Sequence, residues 1–422
     1  MHHFAYRNGV LHCEDVSLEA VARELGTPAY VYSDATLRRH YQVLADAFAD
    51  RKVLIAYAVK ANSNLGVVAT LASLGAGADV VSGGELMKAM EAGVPADRIV
   101  FSGVAKTKDE MRLGLERGIF QFNVESLPEL HRLSAVAQEM DKRAPIALRV
   151  NPHVEAGGHA HISTGTPETK FGIAWHEAEQ FYAEASRLPN IEPVGVAVHI
   201  GSQIMRIDPM RTAWEKVVSL ARRLRERGFA ISRVDFGGGL GVPYKDGEDP
   251  DSPTIYARQA REVLGKLDVQ LILEPGRLIA GNAGVLISRV EYVKERDGRT
   301  FVILDAGMND LMRPALYDAH HEILPVRTPV LGAPRRIVDI VGPICESTDR
   351  FAKDRPMPPL QEGDLVAFMT AGAYGATLSS QYNSRPLVAE ALVRGDACAV
   401  VRRRPTFEEM IALERAPDWI AQ

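Results

Sequence analysis

VLIAYAVK (53–60) is an unbroken apolar run that ends on a lysine. Its apolar residues do not alternate with polar ones, so both faces of the strand it forms are expected to be buried, as in a parallel sheet. Seven further runs follow the same plan: GADVVSGGE (77–85), IVFSG (99–103), FQFNVES (120–126), IALRVNP (146–152), VGVAVHIGS (194–202), VDFGGG (234–239) and LILEPGR (271–277). Each breaks off in a polar or glycine-rich turn. Stretches with helical spacing lie between them, among them NLGVVATLASLG (64–75), GELMKAMEAG (84–93) and TAWEKVVSLARRLRERG (212–228). Strand alternating with helix requires right-handed crossovers between parallel strands. Eight such units in roughly 225 residues match the strand count and size of a (β/α)8 TIM-type barrel. An open, doubly wound sheet is the alternative on this pattern.

The pattern changes after Arg277. GVLISRVEYVKE (284–295), TFVILDAG (300–307), RRIVDIVG (335–342), DLVAFMT (364–370) and ACAVVRRR (397–404) alternate or run apolar with no long helix between them. They predict a C-terminal, mainly antiparallel β domain. PAYVYS (28–33) is strand-like and precedes the barrel, so the N-terminal segment is expected to join that domain. The expected division is therefore 1–33 with the β domain, 34–280 as barrel, and 281–422 as the β domain proper.

The composition narrows the class. The 422 residues are 46% hydrophobic and 24% charged, as in an ordinary globular chain. Lys and Arg total 49 against 54 Asp and Glu. That balance lacks the concentrated basic excess of a nucleic-acid binder. No apolar run approaches the ~20 residues needed to span a bilayer, and the N-terminus has no signal-peptide pattern. Cys13, Cys345 and Cys398 are few and far apart, which suits a reducing, cytoplasmic location and no disulfide framework. A small-molecule substrate is expected, with neither nucleic acid nor membrane as partner.

A barrel of this kind carries its active site at the carboxyl ends of its strands. Those ends supply Lys60, Asp79, Ser82, Ser102, Glu125, Arg149, Asn151, His199, Ser202, Gly237 to Gly239, Glu274 and Arg277. Each has a plain alternative. Lys60 could simply snorkel to solvent, or it could be a partly desolvated amine that forms a Schiff base. FGGGLG (236–241) could be a tight turn or a ring of backbone N–H groups around a phosphate. His199 could be a core histidine or a ring stacked on a flat ligand. Glu274 could pair with Arg277 or face a protonated pyridine nitrogen. A metal site is not expected, since there is no HExxH or clustered Cys/His spacing, and His159 and His161 sit in a polar loop. Taken together, an amine, a phosphate cradle, a stacking ring and a carboxylate describe a pocket for pyridoxal 5'-phosphate.

The same residues carry a family resemblance. YAVKAN (57–62), HIGSQ (199–203), FGGGLG (236–241) and EPGR (274–277) resemble the alanine-racemase-like, barrel-type pyridoxal-phosphate decarboxylases. DAGMNDLMRPALY (305–317), GPICESTDR (342–350) and AGAYGATLSSQYNSRP (371–386) are similar to the diaminopimelate decarboxylase branch of that family. The resemblance covers essentially the whole chain. It implies a homodimer that converts meso-2,6-diaminopimelate to L-lysine and CO2, the last step of lysine biosynthesis.

Residue by residue, the resemblance implies that Lys60 holds the cofactor and His199 stacks on its ring. Gly237, Gly238, Gly239 and Ser202 bind the phosphate, and Glu274 meets the pyridine nitrogen. Gly276 and Arg277 line the site, with Arg277 also meeting substrate. Arg313, Tyr317 and Tyr374 contact substrate, Tyr374 lying near the cofactor as well. Cys345, as the proton donor, and Glu346 come from the partner subunit. One position departs from the pattern: Thr348 stands where a glycine is expected. Related decarboxylases of ornithine, arginine or carboxynorspermidine, a racemase, and a catalytically dead regulatory homologue are the competing readings. The polar stretch HISTGTPETKFG (161–172) is a candidate lid or an ordinary surface loop.

Overall fold

The structure is a computed structural model that describes residues 2–156, 164–165, 169–330 and 332–420. Its chain divides into two compact units, Leu37–Ala280 on one side and Met1–Thr36 with Gly281–Gln422 on the other.

The first unit is the barrel. Its strands are β1 (Val53–Ala58), β2 (Gly77–Val80), β3 (Ile99–Phe101), β4 (Gln121–Val124), β5 (Ala144–Asn151), β6 (Ile191–Ala197), β7 (Arg233–Asp235) and β8 (Gln270–Leu273). Every neighbouring pair is parallel, and closure comes from β8 pairing with β1 at Ile272–Leu54 and β4 with β5 at Phe122–Ile146. An open sheet is thereby ruled out. Leu54, Ala56, Val100 and Ile272 form one apolar cluster inside it, which makes the interior a packed core and not a pore.

The crossover helices are started by side-chain caps that take up otherwise unpaired N–H groups. Ser82 caps Gly83–Glu91, Ser126 caps Leu127–Glu139, and Thr107 forms a capping box with Glu110 on Lys108–Arg117. The helix read at 212–228 starts earlier, as Asp208–Glu226, and buries Met210, Ala213, Trp214, Val217, Val218, Ala221 and Leu224 along one stripe.

The second unit is a mainly antiparallel sheet. Its long strand Gly284–Arg296 pairs antiparallel with Arg299–Leu304, with Leu365–Phe368 and with Ala29–Ser33. The N-terminal strand lies between Gly284–Arg296 and Ala389–Arg394, the latter a parallel neighbour, so Val31 faces Val285 on one side and Ala391 on the other. This register explains why the first residues belong with the C-terminal block: their apolar side chains, Val31 among them, complete its core with Val285, Ile287, Ala391 and Val393. Six strands here went unread in the sequence: Phe4–Arg7, Val10–Cys13 and Val16–Ser17, which form a small antiparallel sheet of their own, and Ile323–Pro325, Arg350–Met357 and Ala389–Arg394. Among the described residues no helix is long and apolar enough to cross a membrane.

Candidate active site

Lys60 sits in a single 3-10 turn, Val59–Ala61, immediately after β1. Its Nζ lies 2.5 Å from Oδ2 of Asp79, the carboxylate on β2, whose side chain is fully buried. The other oxygen, Asp79 Oδ1, is buried with no hydrogen-bond partner among the described residues. A buried carboxylate normally has both oxygens satisfied, so an orphan beside an amine marks a site and not a structural ion pair.

Three strand ends approach each other at the glycine run. Asp235 Oδ1 accepts from Gly237 N–H at 2.8 Å, a local turn that bends the chain straight after β7. Gly237 and Gly239 have φ of +66° and +115°, where side chains with a Cβ are strained. A Cβ on Gly238 would stand 2.0 Å from Glu274 O, and one on Gly239 would stand 2.4 Å from Gly201 O. Only glycine lets these backbones come so close. Among the described residues the N–H groups of Gly239 and Gly276 donate to no acceptor. Unspent backbone donors at the end of a barrel strand fit the phosphate of pyridoxal phosphate. Ser202 Oγ is held beside them by Arg277, whose Nη2 is 3.0 Å away, and Arg277 Nη1 donates to Tyr244 OH at 2.7 Å.

His199 Nδ1 accepts from Gly238 N–H at 3.2 Å, which leaves the ring proton on Nε2. Burial, and then the cations of Arg149 and Lys60, hold this imidazole well below its ordinary pKa. It is a neutral flat ring and suits stacking on a heteroaromatic ligand.

Glu274 follows β8. It does not pair with Arg277 among the described residues, so the structural alternative for this carboxyl falls away. Asn123 Nδ2 lies 3.2 Å from both Glu274 Oε1 and Asp235 Oδ2, and 3.1 Å from Ser102 Oγ. Asn123 and Gln121 share the inner face of β4 and are linked at 2.8 Å. Glu125 is spent on Gly103 N–H, Gly172 N–H and Arg149 Nη1, so it braces the barrel mouth. Asn151 Oδ1 accepts from His153 N–H at 3.0 Å. Of the strand-end residues, Ser82 serves as a helix cap.

The structure thus brings Lys60, His199, Ser202, the three glycines, Glu274, Gly276 and Arg277 to one end of one barrel. The sequence reading missed Asn123, Asp235 and Tyr244. Asp235 had a signal, an aspartate two residues before a glycine at a strand end; the others had none, because their partners lie on strands distant in sequence.

The remaining expected residues are in the sheet unit. Arg313 opens the short helix Arg313–Tyr317, is buried, and has Nη1 2.8 Å from His321 Nε2. An arginine only donates, so His321 accepts there and gives its Nδ1 proton to Met369 O, 2.8 Å away. Tyr374 has φ of +56°. Cys345 is an exposed free thiol. Its loop is pinned by Asp349, whose two oxygens accept from Met308 N–H and Ile344 N–H, both at 2.6 Å. Thr348, the departure from the family pattern, donates to Glu346 Oε1 at 2.5 Å. That bond and one from Tyr382 lower the Glu346 pKa and keep it ionised. His159, His161 and part of the 161–172 stretch lie outside the described residues.

Known proteins offer a direct comparison. Residues 34–281 match the pyridoxal-binding domain of the pyridoxal-dependent decarboxylases. A diaminopimelate decarboxylase of Pseudomonas fluorescens is 50% identical over 97% of this chain and 98% of its own. The crystal structure of diaminopimelate decarboxylase from Helicobacter pylori, complexed with L-lysine, superposes with a TM-score of 0.90 at 40% identity, covering 94% of this chain and 98% of that one. The enzyme of M. jannaschii, also with L-lysine, gives 0.93 at 36% identity over 98% of both chains.

Proposed function

This chain belongs to the diaminopimelate decarboxylases, a branch of the pyridoxal-dependent decarboxylases, and from that premise we infer that it converts meso-2,6-diaminopimelate to L-lysine and CO2. The observation that carries the reading is the conjunction at the barrel mouth. An amine, free backbone donors on a glycine turn, a neutral imidazole and a buried carboxyl stand at the ends of β1, β6, β7 and β8. When bound there, pyridoxal phosphate supplies a conjugated ring that takes up the electron pair left at Cα as CO2 departs.

The residues divide the remaining work. Lys60 holds the cofactor through Nζ, with Asp79 keeping the amine in place. Gly237 to Gly239, Gly276 and Ser202 hold the phosphate, and Arg277 keeps the serine hydroxyl aimed and lines the substrate side. His199 offers an uncharged face, so it adds no positive charge beside a ring that must accept electrons. Glu274 places its carboxyl at the pyridine nitrogen, where charge develops during the reaction.

Substrate selection falls to the sheet unit. The distal end of diaminopimelate carries a carboxylate and an ammonium. Arg313, oriented by His321, clamps the carboxylate, and Tyr317 and Tyr374 add hydroxyls. Glu346, kept ionised, takes the ammonium. Cys345 returns a proton from Sγ to Cα. The exposure of Cys345 and Glu346 in one chain supports their use at the neighbouring subunit's site in a homodimer. Free thiols and a small zwitterionic substrate fit a cytoplasmic enzyme.

Ornithine or lysine has no distal carboxylate, so a buried arginine there would lose its partner at a cost of several kcal/mol. Arg313→Ala tests the clamp. Diaminopimelate turnover is expected to fall at least a hundredfold while the bound cofactor's visible absorbance stays at the wild-type level. A variant as active as the wild type refutes it.

A further inference from the structure

Two acids on the floor of the site have no cation in ion-pair contact among the described residues. Asp235 is 1% and Glu274 8% exposed. One amide nitrogen, Asn123 Nδ2, lies 3.2 Å from an oxygen of each. Two carboxylates buried around one neutral donor repel each other at low dielectric, so one member of the pair is held as a carboxylic acid. The surrounding donors decide which. Asp235 Oδ1 accepts from the Gly237 N–H at 2.8 Å, and Oδ2 from Asn123 Nδ2 at 3.2 Å. Both Asp235 oxygens are therefore served by donors, which favours its ionised form. Glu274 shares the same Asn123 amide at 3.2 Å and has Ser102 Oγ 3.5 Å away, a weaker set.

We propose that Asp235 is a positioning residue that keeps one proton on Glu274 in the cofactor-free protein, and that Glu274 surrenders this proton when it turns to the pyridine nitrogen. In that step the O–H bond on Glu274 breaks. The proton passes to the ring nitrogen, or to water where the ring arrives already protonated, and Glu274 is left as the carboxylate. Asp235 stays ionised throughout, on Gly237 N–H and Asn123. Because Asp235 also bends the chain into the glycine turn, one residue ties the phosphate end of the site to its ring-nitrogen end.

The other charged and titratable groups agree in sign. Burial, then Asp235 and Asp79, push Glu274 well above its ordinary value, and Lys60 opposes them. Burial also lifts Asp235, to about 6, against the hydrogen bonds from Glu274, Gly237 and Asn123. The phenol of Tyr256 beside both stays protonated, raised by its burial and by the two acids. These directions agree with the donor geometry, which serves both oxygens of Asp235 and leaves Glu274 the weaker set.

The inference rests on the reading that Glu274 faces the ring nitrogen, and the test separates the two. The probe is 4-deoxypyridoxine 5'-phosphate, which has the ring and phosphate but no aldehyde for Lys60. Its binding to the apoprotein is followed at pH 7 by calorimetry in buffers of different ionisation enthalpy, which counts protons. Asp235→Asn removes the negative charge beside Glu274 and offers it an amide N–H, both of which favour the carboxylate, so its binding is expected to take up about one proton more than the wild type's. Equal counts overturn the proposal. Should the variant fail to fold, the wild type alone decides. Its infrared difference spectrum on binding is expected to lose one protonated-carboxyl band, and no such loss overturns the proposal. Glu274→Gln tests the underlying reading: wild-type affinity and wild-type proton count in that variant would remove Glu274 from the ring nitrogen altogether.

Discussion

A lysine at the end of a buried strand is ambiguous by itself, and the partner is what resolves it. Lys60 meets Asp79, whose second oxygen has no partner among the described residues. A carboxylate buried in a structural ion pair uses both oxygens, as Glu129 does, with Oε1 2.7 Å from Lys106 Nζ and Oε2 accepting from Glu125 N–H at 2.9 Å. Lys60→Ala is therefore expected to fold, to lose the bound cofactor's visible absorbance, and to lose turnover. Retained wild-type absorbance would end the assignment. Residue identities at the strand ends were legible because the barrel rule points to positions without knowledge of contacts. Contacts were not legible: Asn123 reaches Asp235 and Glu274 across 112 and 151 residues of chain. Nor could the sequence show that Arg277 turns to Ser202 and Tyr244 and away from Glu274.

Elements divide in the same way. The eight barrel strands were legible because strands covered on both faces are continuously apolar, and their helices announce themselves with caps such as Thr107 and Ser126. The unread strands lacked that signal. Arg350–Met357 (RFAKDRPM) is charged and half exposed at the end of its sheet, and Ile323–Pro325 is only three residues long. The glycine turn after β7 was legible as a turn, but its need for glycine is a matter of approach. A Cβ on Gly238 would meet the backbone carbonyl of Glu274 at 2.0 Å, and a backbone cannot step aside as a flexible side chain does. Gly238→Ala should cost on the order of 1–3 kcal/mol or more of overpacking strain. Its melting temperature should fall and its cofactor affinity drop about tenfold or more, since each 1.4 kcal/mol is a factor of ten. Unchanged affinity by absorbance titration would show that the turn does not hold the phosphate.

For the whole molecule, the pattern change after Arg277 separated barrel from sheet. The N-terminal strand's place in the C-terminal sheet was legible from PAYVYS, whereas its pairing with Ala389–Arg394 was not, that strand having gone unread. The shared-site proposal makes a claim about the assembly. Lys60→Ala and Cys345→Ala subunits each lack one half of the machinery, and random reassociation makes half of all dimers mixed, with one intact site each. Mixing the two inactive variants should restore about one quarter of wild-type turnover. No recovery would place both residues in the same subunit's site.

The central claim is the reaction itself, and turnover tests it most directly. The protein, loaded with pyridoxal phosphate and given meso-diaminopimelate, is expected to release CO2 and L-lysine in equal amounts. Under the same conditions it should release no CO2 from L-lysine, ornithine or arginine. Absence of lysine from diaminopimelate, or faster CO2 release from ornithine, would contradict the account.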